Sequence, residues 1–201
     1  MLTNARKHFE PSKRFLGERL GRLGLPPTFW TLSGLALAIL AYKHYPQHHF
    51  QAALIGTAAS LTDFVDGAIA RYQNKQSAWG NYLEAIVDRL VECTLLLAMA
   101  PELGPVVAWA IAASMFISYT KPRVALVTET DNHDWPGLAD HADRMVLLLV
   151  SMALSHVSIR AAQYGIGLLT ASAVIGSLQR LHYAYGLIAR NNTSGQKSPP
   201  D

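Results

Sequence analysis

Apolar stretches of about 20 residues recur along this chain, and a stretch of that length is what an α-helix needs to cross a membrane. The chain has 201 residues, of which 50% are hydrophobic and only 15% are charged, so little sequence is left for a separate soluble domain. We therefore expect an all-α integral membrane bundle of six transmembrane helices, at residues 28–46, 50–71, 80–100, 104–123, 143–160 and 162–189.

A soluble all-α bundle is the alternative fold. The mean hydropathy of +0.15 is low for six spans, and Lys43 and His44 follow the first apolar run closely. The single cysteine, Cys93, excludes an internal disulfide and a cysteine-based zinc site. The first ten residues contain no apolar core, so no signal peptide is expected. The last helix is expected to add only apolar length.

The N-terminal segment has the pattern of an amphipathic helix lying on a membrane surface. Its apolar residues fall at helical steps onto one face, at Phe9, Leu16, Leu20 and Leu23. Arginines and lysines fill the remainder, which suits an anionic headgroup layer. The expected organisation is a juxtamembrane helix at 1–25, a six-helix transmembrane domain at 26–190 and a disordered tail at 191–201.

Basic residues predict how the bundle is oriented. Most of them fall on one side of it, in the N-terminal helix, in the connections after the second and fourth spans, and at the C-terminus. The positive-inside rule makes that side cytoplasmic. We expect a multi-pass protein, of the cell membrane of a prokaryote, with its functional site facing the cytoplasm.

That cytoplasmic side carries four carboxylates at fixed spacing, D-x2-D-G-x2-A-R-x8-G-x3-E-x3-D. Asp63 and Asp66 are three residues apart, and Glu84 and Asp88 are four apart, so each pair shares one helix face. Ionisable residues inside an apolar span are costly, and they are functional-site candidates by default. If the two faces meet, four carboxylate ligands converge on one volume.

Converging carboxylates repel one another unless cations neutralise them. Magnesium prefers carboxylate oxygens together with substrate phosphates, so Mg²⁺ is the expected cofactor, with Mn²⁺ as its substitute. Two such ions about 3.5–4 Å apart can hold both oxygens of a phosphoryl displacement. Gly67 leaves room for a ligand, Arg71 offers a planar fork of donors to a phosphate, and Ser77 could donate to the same anion.

These residues resemble the signature of the CDP-alcohol phosphotransferase family, D-x2-D-G-x2-A-R-x8-G-x3-D-x3-D. The spacing is intact, and the one departure is Glu84, where the family usually has aspartate. Glutamate is still an oxygen ligand, but it reaches one methylene further. The resemblance implies a six-span membrane enzyme, usually a homodimer, that moves a phosphoalcohol from a CDP-linked donor to an acceptor hydroxyl and releases CMP.

The resemblance also implies residue roles. Metal would be bound by Asp63, Asp66, Glu84 and Asp88, and Asp88 would in addition act as the general base. Gly67, Arg71 and Ser77 would hold the cytidine diphosphate. The segment 24–31 looks like the family's G-L-T-P-[ND]-x-x-T stretch, which lines the nucleotide pocket. Nucleotide contacts are accordingly expected at Pro27, Thr28 and Thr31, although Thr28 replaces the usual Asn or Asp.

Two later segments, 118–123 and 137–144, are similar to S-Y-x-R-A-R and G-[IL]-A-E-R-x-D-R of phosphatidylinositol phosphate synthases and their archaeal counterparts. In those enzymes basic residues at these places hold the phosphate of the acceptor. The match is incomplete, because Lys121 and His141 replace arginines and Ala125 replaces an acidic residue. The residues expected to bind the acceptor phosphate are Lys121, Arg123 and Arg144. Simple anchoring at the membrane edge is the alternative.

The resulting expectation is a phospholipid-synthesis transferase that uses CDP-diacylglycerol, or a related CDP-lipid, and a small polar acceptor. Inositol 1-phosphate is the leading acceptor and glycerol 3-phosphate the second. Membrane lipids surround the protein, and no nucleic acid is expected to bind. Two alternatives of other classes stay open: a divalent-cation transporter, because intramembrane carboxylates also line ion pathways, and a non-catalytic nucleotide or lipid binder.

Overall fold

The computed structural model describes residues 15–128, 130, 135–138 and 140–195, with side chains up to residue 191. Seven helices and no strands make up this described part of the chain. Helix α1 covers residues 15–21, and the six others are α2 (Pro27–His44), α3 (His49–Tyr72), α4 (Ala78–Leu103), α5 (Pro105–Ala125), α6 (His141–Leu154) and α7 (Ile159–Gly195).

Glycine, proline and asparagine set several of the helix boundaries. Gly24 adopts a φ of +72°, and Pro27 opens α2, as the sequence predicts. Asn74, in the connection after α3, has a φ of +53°, a conformation that asparagine tolerates better than most residues. Gly104 has a φ of +70° between α4 and α5, and Pro105 then starts α5. These turns reverse the chain between long helices.

The six long helices pack as one bundle. Helix α2 lies against α3 and α4, and α7 lies against α5 and α6. The main core is rich in alanine, which allows close helix approach of the kind found between membrane helices. Its buried alanines include Ala38, Ala41, Ala52, Ala53, Ala59, Ala98, Ala110 and Ala162.

Helices α2 to α7 correspond one to one with the six predicted spans. Two of them pass a test of length and hydropathy for crossing a membrane, namely α3 and the part of α7 from Ile159 to Asn191. Helix α6 has only 14 residues, fewer than the predicted span at 143–160. Helix α7 has 37 residues and continues to Gly195, into the predicted tail. Residues 196–201 lie outside the described chain.

The described part of the N-terminal helix packs on the bundle through glycines. A side chain at Gly17 would collide with the backbone of Ala68 in α3, and one at Gly21 would collide with the ring of Tyr72. Leu23, predicted to lie on the membrane face, is 61% exposed. Phe9, the first residue of that face, lies outside the described residues. Helix α1 thus rests on the end of α3, just beyond the predicted site.

Candidate active site

Three of the predicted carboxylates meet between two helices. Asp63 and Asp66 come from the C-terminal half of α3, and Glu84 comes from the second turn of α4. One carboxylate oxygen of each lies within 4.8 Å of the other two. We call these three residues the carboxylate group. The helical spacing of the motif produces this arrangement because α3 and α4 are antiparallel neighbours joined by a short connection.

Asp66 is fixed at the floor of the site. Its side chain is buried, with 2% exposure, and Thr31 of α2 donates to its Oδ2 at 2.5 Å. The other oxygen, Oδ1, is buried without a hydrogen-bond partner among the described residues. Helix α2 can approach this closely because Gly34, one turn after Thr31, has no side chain to collide with Thr62 of α3.

The carboxylate group fits a hard divalent cation. Its donors are all carboxylate oxygens, they come from two helices, and Asp66 among them carries a buried oxygen with no hydrogen-bond partner in the described part of the chain. Unpaired buried carboxylate oxygens are destabilising in a protein interior, whereas magnesium and calcium take such ligands by preference. Asp63, Asp66 and Glu84 are therefore the residues that could hold a metal.

Asp88 lies one turn beyond Glu84 on the same face of α4. It does not belong to the carboxylate group, but it lines the same cavity as Asp63 and Asp66. Its Oδ2 faces Nε2 of His141, at 3.9 Å. Its predicted roles, as a fourth ligand and as the base, stay predictions.

The cavity has a volume of about 360 Å³ and two kinds of lining residue. Thr31, the aspartates and His141 are among its polar lining residues. Its apolar lining residues include Val87, Val91, Met145 and Leu149. A ligand with a charged head and an aliphatic part suits such a mixed lining.

The residues predicted to bind the nucleotide lie around the outer end of the same helices. Thr31 lines the cavity, while Pro27 and Thr28 form the first turn of α2 and are half-buried. An added side chain at Gly67 would meet no atom within 4 Å, so this face of α3 is open. Arg71 is exposed one turn further on.

Ser77 caps helix α4. Its hydroxyl oxygen accepts a hydrogen bond from the backbone N–H of Gly80 at 3.0 Å, which satisfies a donor at the start of the helix. The hydroxyl hydrogen is still available to donate. The predicted contact of Ser77 with a phosphate is compatible with this cap and stays a prediction.

The three residues predicted to bind the acceptor phosphate are not gathered at the cavity. None of them lines it, as far as the structure describes the chain. Arg123 is exposed in the last turn of α5, and Lys121 is half-buried nearby. Arg144 is buried and forms a two-pronged ion pair with Glu92, with distances of 2.8 Å and 3.0 Å. Their role at a phosphate therefore stays a prediction.

Sequence reasoning missed Glu92, which is the most deeply buried acid of the described chain. It is wholly buried and contacts Arg144 and His141. A signal was present, because Glu84, Asp88 and Glu92 follow one another at steps of four residues on one face of α4. The family motif ends at Asp88, so Glu92, one turn further along α4, was not among the predicted site residues.

The expectation that the last helix adds only apolar length was wrong. Arg180 of α7 donates from Nη1 to the carbonyl of Ile117 at 2.8 Å and from Nη2 to Asp140 at 3.2 Å. Gln179 accepts from the backbone N–H of Leu138 at 2.8 Å. Helix α7 thus holds the segment before α6, whose first residue, His141, lines the cavity.

Comparison with known proteins places the chain among relatives of known family. A sequence model of the family described as CDP-alcohol phosphatidyltransferase matches residues 23–177. The archaetidylinositol phosphate synthase of Pyrococcus horikoshii is 27% identical over 190 residues, which cover 92% of this chain and 96% of that protein. The phosphatidylinositol phosphate synthase of Mycolicibacterium smegmatis is 27% identical over 177 residues, covering 80% and 78%.

The fold also has solved relatives. The Mycobacterium tuberculosis phosphatidylinositol phosphate synthase crystallised with CDP-DAG superposes with a TM-score of 0.75 at 23% identity, covering 86% of this chain and 93% of that one. The same enzyme with manganese and citrate gives 0.74 at 24% identity, covering 86% and 88%. The spacing of the acidic motif, its convergence in the fold and the family match over residues 23–177 agree, and the chain belongs to the CDP-alcohol phosphatidyltransferase family.

Proposed function

We propose that this protein is an integral membrane enzyme that transfers the phosphatidyl group of CDP-diacylglycerol, or of a related CDP-lipid, to inositol 1-phosphate and releases CMP. The relatives named as inositol phosphate synthases support this acceptor, since one of them aligns with 92% of the chain. The observation that carries the transfer chemistry is the carboxylate group, two of whose members, Asp63 and Asp66, line a cavity with many apolar residues.

The surface of the bundle supports a membrane location with six spanning helices. Large apolar side chains point outward on every long helix, while alanines are frequent in the core between the helices. A soluble protein rarely exposes so much contiguous apolar area. The exposed set includes Leu32, Leu54, Leu97, Trp109, Val150 and Leu168.

The ends of the bundle support the orientation. Arg71, Lys75 and Arg123 lie at the end that holds the carboxylate group, and helix α1 packs at the same end. By the positive-inside rule this end faces the cytoplasm, where a soluble acceptor and CMP can exchange. Residues 1–25 form the interfacial helix of the proposal and residues 26–190 its catalytic domain. The predicted homodimer and the tail at 191–201 stay predictions.

In the proposed reaction Asp63, Asp66 and Glu84 hold Mg²⁺, with Mn²⁺ as a substitute, and Asp88 is a further candidate ligand. The metal supplies positive charge that neutralises the pyrophosphate and the departing CMP. Asp88 accepts the proton of the acceptor hydroxyl. The hydroxyl oxygen then attacks the phosphorus on the lipid side, and the bond from that phosphorus to the CMP oxygen breaks. Thr31 keeps Asp66 oriented throughout.

The lipid and the nucleotide are proposed to bind at different places. The apolar lining residues of the cavity suit the start of the lipid chains, and the open face of α3 at Gly67, with the exposed Arg71 one turn on, suits the cytidine diphosphate. The other nucleotide contacts in the proposal are Pro27, Thr28, Thr31 and Ser77. Lys121, Arg123 and Arg144 are the proposed contacts of the acceptor phosphate, and binding would have to bring them toward the cavity.

The test is a measurement of CMP release by the purified full-length protein with CDP-diacylglycerol and Mg²⁺. Inositol 1-phosphate, glycerol 3-phosphate, free inositol and serine are offered as acceptors in parallel. We expect release with inositol 1-phosphate and much less with free inositol. Release with glycerol 3-phosphate alone would mean that glycerol 3-phosphate, and not inositol 1-phosphate, is the acceptor. Release only with a phosphate-free alcohol would overturn the phosphate pocket, and no release with any acceptor would overturn the transferase proposal.

A further inference from the structure

Glu92 lies at the centre of a charged cluster and has no part of its own in the proposed reaction. Its side chain has no exposed surface. Arg144 of α6 donates to both of its oxygens, and Nδ1 of His141 lies 3.1 Å from its Oε2. Arg89, one turn back on α4, approaches the same oxygen at 3.9 Å. A buried carboxylate needs such partners, because an uncompensated charge in the interior is strongly destabilising.

His141 connects this cluster to the cavity. Its Nδ1 faces inward, within hydrogen-bond distance of Glu92 and at 2.8 Å from Nη1 of Arg89. Its Nε2 faces Asp88, and the ring lines the cavity. In a neutral ring Nδ1 either donates to Glu92 or accepts from Arg89, and in both tautomers these two residues hold the tilt of the ring.

The rest of the chain leaves the ring little freedom. His141 is the first residue of α6, and the N–H of the preceding Asp140 is bonded to Asp143 at 3.3 Å. Arg180 holds the carboxylate of Asp140 from α7. These contacts fix the backbone at the start of α6. The ring of His141 can then move only by rotation about its own side-chain bonds. Glu92 and Arg89 are what restrict that rotation.

We infer that Glu92 is a positioning residue of the active site, which acts by holding His141 against Asp88. The inference rests on the proposed function for its effect on turnover. Glu92 does not line the cavity, as far as the structure describes the chain, and of its hydrogen-bonded partners His141 is the one that does, so the inference routes its effect through His141. A purely structural role, as an ion pair joining α4 to α6, is the competing explanation. The two explanations differ in what a second substitution does.

The decisive experiment is a double-mutant cycle on kcat with Glu92→Gln and His141→Ala in the full-length protein. Glu92→Gln should lower kcat by about 10- to 100-fold, as expected when a supporting group is misplaced. KM for the CDP-lipid should change little, because the proposed nucleotide contacts lie on α2, on α3 and at the start of α4, away from Glu92. In the His141→Ala background, Glu92→Gln should cost almost no further kcat. Two effects that multiply independently would overturn the inference.

A second readout does not need turnover. The rate at which diethyl pyrocarbonate modifies His141 is followed by peptide mass spectrometry, with the exposed His182 of α7 as an internal reference. We expect Glu92→Gln to raise the rate at His141 several-fold, and an unchanged rate would overturn the inference. The matched control is Glu102→Gln, near the other end of α4, where Glu102 bonds His49 at 2.9 Å. It should leave kcat and the rate at His141 unchanged.

These measurements keep the two proposals apart. If the wild-type protein releases no CMP with any acceptor, the proposed function fails, and the modification rate still decides whether Glu92 holds His141. If Glu92→Gln does not fold, Glu92→Asp keeps the charge of the ion pair while withdrawing the carboxylate from the ring. That variant should raise the modification rate at His141 and lower kcat, whereas wild-type values for both would overturn the inference.

Discussion

Glu84 and Glu92 lie on the same helix, α4, in opposite electrostatic surroundings. Glu92 has Arg144, Arg89 and His141 around it, so its charge is balanced by the protein itself. Glu84 instead lies with Asp63 and Asp66, and the carboxylate oxygens of the three come within 4.8 Å of one another. Clusters of charged side chains thus have two uses in this protein. A cluster whose positive and negative charges balance fixes geometry, and a cluster of negative charge alone can bind a cation from outside.

The largest expected effect comes from removing one negative charge from the carboxylate group. Asp66→Asn keeps the shape of the side chain and removes one anionic ligand, so a metal held by the carboxylate group should be lost. Transition-state stabilisation of several kcal/mol disappears with it, and kcat should fall by about 10³-fold or more. CMP release measures the loss, and EDTA should reproduce it in the wild-type protein until Mg²⁺ is restored. Glu102→Gln, which also neutralises one carboxylate, should keep full activity.

Asp88→Asn separates the proposed base from the metal ligands. Loss of a general base should lower kcat by about 10²- to 10⁴-fold. Mg²⁺ should still raise the melting temperature of this variant, because binding to the native state alone stabilises it and the carboxylate group is intact. Thermal unfolding with and without Mg²⁺ checks this. If Mg²⁺ no longer raises the melting temperature of Asp88→Asn, Asp88 is an indispensable metal ligand and not only the base.

Gly176→Ala tests how α7 supports the segment before His141, and through it the surroundings of Glu92. A side chain at Gly176 would collide with the carbonyl of Leu138 and with Ile117, in the contact that holds the segment before His141. Overpacking of this kind costs about 1–3 kcal/mol, so the melting temperature should fall. Gly186→Ala is the matched control on the same helix, since nothing lies within 4 Å of its added side chain. Equal melting temperatures for the two variants would contradict the close approach.

The smallest expected effect comes from Glu84→Asp. The change restores the aspartate that is usual in the family and keeps an oxygen ligand. We expect turnover to be retained or raised. Kinetics at several Mg²⁺ concentrations check this, because a change of reach should alter the concentration required more than the maximal rate. A complete loss of activity would mean that the longer side chain is essential to this particular site.

Much of the fold could be predicted because apolar runs and their Gly and Pro boundaries are local signals. The helices α2 to α5 begin and end within a few residues of the predicted spans. Helix α6 ends early, at Leu154, and Tyr45 donates a buried hydrogen bond to Ser155 just beyond it, a contact that no local pattern records. Helix α7 continues past the predicted end of the last span and ends at Gly195.

The candidate site was predictable to the extent that its residues share a motif. Asp63, Asp66 and Glu84 converge as their spacing indicates. Contacts between residues far apart in sequence could not be read in this way. The ion pair of Glu92 with Arg144 joins positions 52 residues apart, and Arg180 reaches Asp140 over 40 residues. Such pairs depend on how α4, α6 and α7 pack, which composition and periodicity do not determine.

The most direct test of the account is whether the carboxylate group binds a divalent cation. The measurement is a titration of the purified full-length protein with Mn²⁺, followed by electron paramagnetic resonance of the free ion. We expect saturable binding to the wild-type protein, the same binding to Glu102→Gln and Glu92→Gln, and its loss in Asp66→Asn. Equal Mn²⁺ binding by Asp66→Asn and the wild-type protein would contradict the account.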